Sequence, residues 1–164
     1  MGSTADWRAA AHKAREVLTD NSVIEPPVRI DQIVQNYGLT VVEASFAHPH
    51  ESVAGFIDFE SKQIVVNAAD PLNRRIFTAA HELGHWLLHR PVIEKNPDIA
   101  ILSRVALRQA DKDPLEQEAN SFAANLLVPK EFLDPVKEAP IAALADIFGV
   151  STEVIGYRLG RSRA

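Results

Sequence analysis

The sequence predicts an α+β fold in which a small β-sheet packs against helices. Short segments rich in Val, Ile and Phe lie between residues 39 and 66, longer segments repeat apolar residues at helical spacing, and prolines and glycines separate them. The 164 residues carry a net charge of −5 and 46% hydrophobic residues, as is usual for a globular protein. We therefore expect one domain over 1–164, with a core at 30–139 and a C-terminal helix-turn-helix-like hairpin at 140–164.

The individual elements are predicted from apolar spacing and from the residues that end each segment. Strands are expected at 39–46, 53–59 and 64–66, the last two forming a hairpin. Helices are expected at 5–18, 30–37, 71–89, 115–128, 141–148 and 152–159. The longest helix has Asp70 as its predicted N-cap and Pro71 as its first residue, and Pro91 is expected to end it. Asp113 is the predicted N-cap of the helix that follows.

Composition excludes several classes of protein. The chain has no cysteine, which excludes disulfide scaffolds, thiol catalysis and cysteine-ligated metal sites, so any metal must be held by His, Asp or Glu. No apolar run reaches the ~18 residues that span a bilayer, and the charged N-terminal segment lacks the apolar core of a signal peptide. We therefore predict a cytoplasmic protein with no membrane partner. The net charge of −5 also argues against nucleic-acid binding over the whole surface.

The sequence HELGH at 81–85 is an H-E-x-x-H pattern within the longest predicted helix. Side chains four positions apart lie about 40° apart around a helix, so the imidazoles of His81 and His85 can reach one ion. Glu82 lies beside that ion, where its carboxylate can take a proton from water at the metal. The same helix face is otherwise apolar, so the histidines should face the interior. The pattern predicts a zinc site with Glu82 as general base.

The third ligand must come from another segment. His89 lies on the same helix, but about 6 Å farther along the axis than His85, so we expect it to pack or to contact a ligand from outside. Glu116 falls about 50° from the centre of the buried face of the helix 115–128, and Glu118 about 110° from it. Both glutamates remain candidates, and their positions on the helix favour Glu116.

The neighbours of Glu116 bear on its role. Ala119 and Ala123 are small and would let this helix approach the histidine helix closely. Asn120, one turn after Glu116, is placed to hydrogen-bond the outer nitrogen of a liganding histidine or the ligand carboxylate. Asp113 and Glu116 also fit a capping box, in which Glu116 would only bond the backbone.

The segment HELGHWLLH, followed on the next long helix by EQEANSFAANLLVP, resembles the ImmA/IrrE family of zinc metallopeptidases. The GFID and IVVN segments of the hairpin are similar to that family's sheet, and the resemblance covers 30–159. It implies a zincin-like, gluzincin-like fold with a catalytic core at 30–139, Zn²⁺ held by His81, His85 and Glu116, and Glu82 as general base. It also implies limited proteolysis of helix-turn-helix repressors in mobile-element immunity or stress responses. Val128 stands where the family often has methionine, which should affect only packing.

The C-terminal hairpin offers a rival interpretation. Two helices joined at Gly149 fit a helix-turn-helix, which would place the helix 152–159 in a DNA major groove. The hairpin has three arginines and two acidic side chains near the helix 152–159, a local net charge of +1. This charge is too small to attract the phosphates of DNA strongly, so direct DNA binding is not favoured. The alternative function is a DNA-binding or repressor-sequestering regulator with a structural or vestigial zinc site. A second electrophilic group is also expected, and its candidates are His48, His50, Arg104, Arg108 and Tyr157.

Overall fold

The structure is a computed structural model that describes residues 4–46, 54–96 and 113–160. The segments that precede the H-E-x-x-H pattern are α1 (Trp7–Asp20), α2 (Ile30–Asn36), β1 (Thr40–Ala44), β2 (Gly55–Asp58) and β3 (Gln63–Asn67). The pattern itself lies on α3 (Leu72–Gly84) and the π-helical turn His85–His89, which continues into α4 (Arg90–Lys95). The remaining elements are α5 (Pro114–Leu127), α6 (Lys130–Leu133), a short 3₁₀ turn (Asp134–Val136), α7 (Ile141–Phe148) and α8 (Thr152–Arg158).

The three described strands form one sheet with the order β1-β3-β2. β3 pairs with β1 in parallel and with β2 in antiparallel, so β2 and β3 form the predicted hairpin, with Phe56 opposite Val65. Three successive residues of β3, Ile64, Val65 and Val66, are buried, because this strand lies between two others and beneath α3. The α+β class is therefore confirmed.

α3 packs against the sheet on one side and against α5 on the other. The two helices lie close together at Gly84, because a Cβ atom at this position would lie only 2.9 Å from Cδ1 of Phe122 and 3.4 Å from Cα of Ala119. Ala119, one of the two small residues expected to bring α5 towards the histidine helix, lies at this contact. α1 covers the other side of α5, so the helix that carries Glu116 is enclosed on both sides.

The C-terminal hairpin packs into the same hydrophobic core. Leu144, Phe148 and Ile155 are fully buried within it, and Gly149 joins the two helices with a positive φ of 68°. Nε of Arg158 donates a hydrogen bond to the carbonyl oxygen of Val128, which ends α5. This hydrogen bond links α8 directly to the end of α5.

Two predicted helix boundaries were wrong. Asp70 does not cap α3: Pro71 occupies the N-cap position, the helix begins at Leu72, and no side chain caps it. Pro91 does not end the helix, because it lies in the first turn of α4, where a missing N–H removes no hydrogen bond. By contrast, Asp113 caps α5 as predicted, accepting a hydrogen bond from the backbone N–H of Leu115. No helix among the described residues is long and apolar enough to cross a membrane.

Candidate metal centre

α3, the π-helical turn and the first turn of α5 bring three side chains to one point. Nε2 of His81 lies 2.9 Å from Oε2 of Glu116, and Nε2 of His85 lies 2.8 Å from Oε1 of the same carboxylate. His81 is 5% exposed, and His85 and Glu116 are each 1% exposed. Of the two glutamates left open by the sequence, Glu116 therefore lies with the paired histidines.

The donor atoms of this group fit a metal ion better than they fit one another. Although the distances are short, neither Nε2 of His81 nor Nε2 of His85 makes a hydrogen bond of acceptable geometry, and both atoms are buried. Buried polar atoms without a hydrogen bond destabilise a fold, whereas a cation between them would use their lone pairs. One ligand atom from each of the three residues lies within 4.8 Å of the others, so His81, His85 and Glu116 could hold a metal ion.

Burial and charge shift the pKa values of this group in opposite directions. Burial alone would lower the pKa of His81, but the Glu116 carboxylate beside it outweighs burial and raises that pKa to about 9. Burial would raise the pKa of Glu116, yet the two imidazoles hold it well below its ordinary value. Without a metal, both nitrogens of the His81 ring therefore carry a proton at neutral pH. A metal ion that binds Nε2 would have to displace the proton of that atom.

Asn120 contacts the outer nitrogen of His81. Oδ1 of Asn120 lies 2.7 Å from Nδ1 of His81, and because a carbonyl oxygen only accepts, Nδ1 must be the donor. A neutral His81 ring in this tautomer keeps the lone pair of Nε2, the atom that faces Glu116. The contact is the one that the sequence predicts for Asn120 if His81 is a ligand.

His89 and Glu118 lie outside the three-residue group but next to it. Nδ1 of His89 is 2.9 Å from Nδ1 of His85, and Nε2 of His89 is 2.6 Å from Oε2 of Glu118. Burial, followed by the charge of His85, lowers the pKa of His89. Glu118 thus faces His89 instead of His81 and His85. The sequence predicts that His89 packs or makes an outer contact to a ligand, and it does not predict Glu118 as the partner of His89.

Glu82 is 6% exposed, and the charge of its carboxylate helps to raise the pKa of His81, its neighbour on α3. Of the candidates for a second electrophile, Tyr157 lies on the wall of a cavity of about 780 Å³ between α3, α5 and α8. The wall includes Asn120 but not His81, His85 or Glu116. The remaining candidates lie outside the described residues: His48, His50, Arg104 and Arg108.

Comparison with known proteins finds a family that this chain matches over most of its length. The family model of the IrrE N-terminal-like domain, peptidase family M78, matches residues 34–160. An uncharacterized immunity region protein 2 of Bacillus phage phi105 is 31% identical over 109 residues, which are 64% of this chain and 65% of the phage protein. A Mycobacterium tuberculosis transcriptional regulator has the same fold, with a TM-score of 0.67 at 18% identity over 95% of this chain and 57% of the regulator.

The chain therefore spans less than two thirds of the length of either relative. The family match nevertheless includes both helices that carry the metal group, together with the sheet and the C-terminal hairpin. On this match the chain belongs to the ImmA/IrrE family, as the resemblance of its two helical segments indicates.

Proposed function

We propose that this protein is a zinc-dependent endopeptidase that hydrolyses a peptide bond in a protein partner, a helix-turn-helix transcriptional repressor. One observation carries the proposal: the buried Nε2 atoms of His81 and His85 converge on the buried Glu116 carboxylate, and neither Nε2 atom makes a hydrogen bond. Membership of peptidase family M78 supports the class of reaction. The proposal treats the chain as one domain, because the hairpin residues lie in the same hydrophobic core as α3 and α5.

The donor set supports zinc as the metal. Two imidazoles and one carboxylate are typical of catalytic zinc sites, which leave a fourth position open for water. The chain has no cysteine that could complete a closed structural site. In this proposal His81, His85 and Glu116 are the ligands, and Asn120 fixes the tautomer of His81.

Each residue then has a defined role in hydrolysis. Zinc, when bound, supplies a Lewis acid that acidifies water and polarises the peptide carbonyl. Glu82 is the general base: it accepts the proton from the attacking water and passes it to the leaving amine. Glu82 follows His81 directly on α3, so the two side chains diverge, and Glu82 stays beside the ligand set instead of joining it. The surrounding residues keep bulk water away from these charges, because the site is buried.

Three observations support a repressor as the substrate. The resemblance to ImmA/IrrE peptidases implies one, the phage relative bears the name of an immunity region, and the solved structure with the same fold is a transcriptional regulator. Direct DNA binding by α8 has less support. Nε of Arg158, one of the few positive charges of the hairpin, donates to the carbonyl oxygen of Val128 within the fold.

The proposal is tested with purified protein and, as candidate substrates, small helix-turn-helix repressors whose genes are neighbours of its own gene. Wild-type protein should bind one zinc per chain and cut the repressor, and His81→Ala should lose both properties. Glu82→Gln should keep its zinc and lose cleavage, because an amide cannot accept the proton. Glu94→Gln is the matched control: Glu94 is exposed on α4 and pairs with Arg90, so cleavage should not change.

The outcomes separate the competing functions. Cleavage by Glu82→Gln at the wild-type rate would refute the general-base role. A repressor bound tightly but never cut, by protein that contains zinc, would favour a sequestering regulator. Salt-sensitive DNA binding without cleavage would favour a DNA-binding regulator with a structural or vestigial zinc site.

A further inference from the structure

We infer that His89 and Glu118 are positioning residues for the metal ligand His85, through a hydrogen-bonded relay from His85 to His89 to Glu118. The inference rests on the metal site of the proposed function and extends it outward to a second layer of residues. Three contacts carry it: His85 Nδ1 to His89 Nδ1 at 2.9 Å, His89 Nε2 to Glu118 Oε2 at 2.6 Å, and the backbone N–H of Asp6 to Glu118 Oε1 at 2.9 Å.

The chemistry of these atoms fixes the direction of the relay. A carboxylate only accepts, so Nε2 of His89 must carry a hydrogen and donate it to Glu118. Nδ1 of a neutral His89 is then an acceptor, and Nδ1 of His85 must donate to it. That leaves Nε2 of His85 with a free lone pair, and Nε2 is the atom that faces Glu116. The relay therefore selects the tautomer of His85 that can bind a metal.

The relay is held rigidly by three elements. His89 is 3% exposed, at the end of the π-helical turn, and Glu118 lies on α5 two residues after Glu116. The second oxygen of Glu118 accepts the N–H of Asp6, and the side chain of Asp6 caps α1 by accepting the N–H of Ala9. Rotation of the His89 ring would break contacts to both of its neighbours. We therefore expect the ring of His85 to be fixed in orientation even before metal binds.

The two histidine ligands are supported differently. His81 donates to the neutral amide oxygen of Asn120, whereas His85 donates through His89 to the charged carboxylate of Glu118. Carboxylate partners of ligand histidines fix the ring and raise its basicity, and removing such a partner weakens metal affinity by about 10- to 100-fold. Loss of the relay should weaken zinc binding within this range while leaving three ligands in place.

The test measures zinc affinity by competition with a chelator, with three substitutions of His89. His89→Leu removes both contacts and should weaken zinc binding by about 10- to 100-fold. His89→Asn places an amide oxygen where Nδ1 stood, so it keeps the contact to His85 and should recover most of the affinity. His89→Gln can reach Glu118 but cannot accept from His85 at the same time, so it should resemble the leucine variant. His12→Leu replaces an exposed histidine on α1 and is the control.

Cobalt provides a readout that packing alone would not change. The visible absorption of Co²⁺ reports the geometry of its ligands, so His89→Leu and His89→Gln should alter this spectrum, and His89→Asn should preserve it. Thermal melting of the metal-free variants measures any loss of folding separately. If His89→Leu is too unstable, Glu118→Ala removes the far end of the relay from a position that is only partly buried.

Two results would overturn the inference. In the first, folded His89→Leu or Glu118→Ala binds zinc with an affinity within about twofold of that of the wild type, and its cobalt spectrum is unchanged. The loss of zinc affinity would then be smaller than the loss expected when the hydrogen-bond partner of a ligand histidine is removed. In the second, His89→Asn is no better than His89→Leu. Either result would leave the peptidase proposal intact. Wild-type protein that binds no zinc would overturn both.

Discussion

The substitution Gly84→Ala tests whether the close approach of α3 and α5 builds the metal site. The new Cβ would lie 2.9 Å from Cδ1 of Phe122 and 3.4 Å from Cα of Ala119. Ordinary carbon contacts lie at about 3.5–4.0 Å, so one neighbour must move by roughly 0.6 Å or more. The Phe122 ring is fully buried, and the other neighbour is backbone, so part of this movement must separate the two helices.

Two energies oppose each other in this variant. Overpacking a core costs about 1–3 kcal/mol, whereas replacing glycine by alanine within a helix gains about 1 kcal/mol. We expect a net loss of about 1 kcal/mol in the free energy of unfolding of the metal-free protein. The effect on zinc should be larger than this small loss suggests. Glu116 lies one turn before Ala119 on α5, and metal–ligand distances tolerate only about 0.2 Å. Zinc affinity should fall by about tenfold, as it does when an outer partner of a ligand is removed.

The assay is a double-mutant cycle that combines Gly84→Ala with Phe122→Leu. Denaturant unfolding gives the stability of each variant, and chelator competition gives its zinc affinity. The smaller side chain should accommodate the new methyl group, so the double variant should be more stable than the sum of the single effects by at least about 0.5 kcal/mol. Phe148→Leu makes the same change at an equally buried position on α7 and should be additive with Gly84→Ala. A Gly84→Ala protein that is more stable than wild type and binds zinc equally well would refute the reasoning.

Four further predictions concern protonation and the two ends of α5. Because the pKa of His81 is raised from 6.5 to about 9, zinc must displace a proton from this ring. The apparent zinc affinity should therefore rise about tenfold per pH unit from neutral pH to about pH 9 and then level off. A zinc affinity that does not change with pH would contradict this prediction. The metal-free protein should lose stability as pH rises through the same range, since the protonated ring is the stabilised form. Asp113→Ala removes the cap of α5 and should cost about 1 kcal/mol in thermal or denaturant unfolding, with weaker zinc binding because Glu116 lies in the first turn. Arg158→Met removes the hydrogen bond to Val128 and should also cost about 1 kcal/mol, but chelator competition should find the zinc affinity unchanged.

Local pattern grouped the same three residues that lie together in the structure. His81 and His85 belong together because their spacing matches one helical turn, which needs no knowledge of tertiary structure. Glu116 was favoured over Glu118 from the buried face of its helix, and the structure places only Glu116 against both histidines. The same apolar pattern located β2 and β3, whose pairing follows from their short connection.

The predicted boundaries of α3 failed where local signals have two meanings. Asp70 followed by Pro71 is typical of an N-cap and a first helical residue. In the structure the helix begins one residue later than this pattern predicts, so that Pro71 is the N-cap and Leu72 is the first helical residue. Proline after a helix suggests its end, but proline is equally favourable in the first turn of a new helix. The backbone of His89 shows which of the two applies to Pro91. Its φ of −121° and ψ of −1° depart from helical values, so a new helix, α4, begins at Arg90 with Pro91 in its first turn.

The partner of His89 could not be predicted from a regular helix. Sequence spacing assumes an α-helical rise and rotation, and on that basis His89 lies one turn beyond His85, where it packs or contacts a proposed ligand from outside, with no partner assigned on another helix. The chain instead forms a π-helical turn over His85–His89, in which hydrogen bonds span one more residue, so the relative rotation of the two histidines differs from the α-helical value. The rings then meet through their Nδ1 atoms, and Glu118 on another helix completes the contact. Such turns are frequent at functional sites, and here the deviation from α-helical geometry joins His85, a proposed metal ligand, to Glu118, which regular spacing offers only as an alternative third ligand.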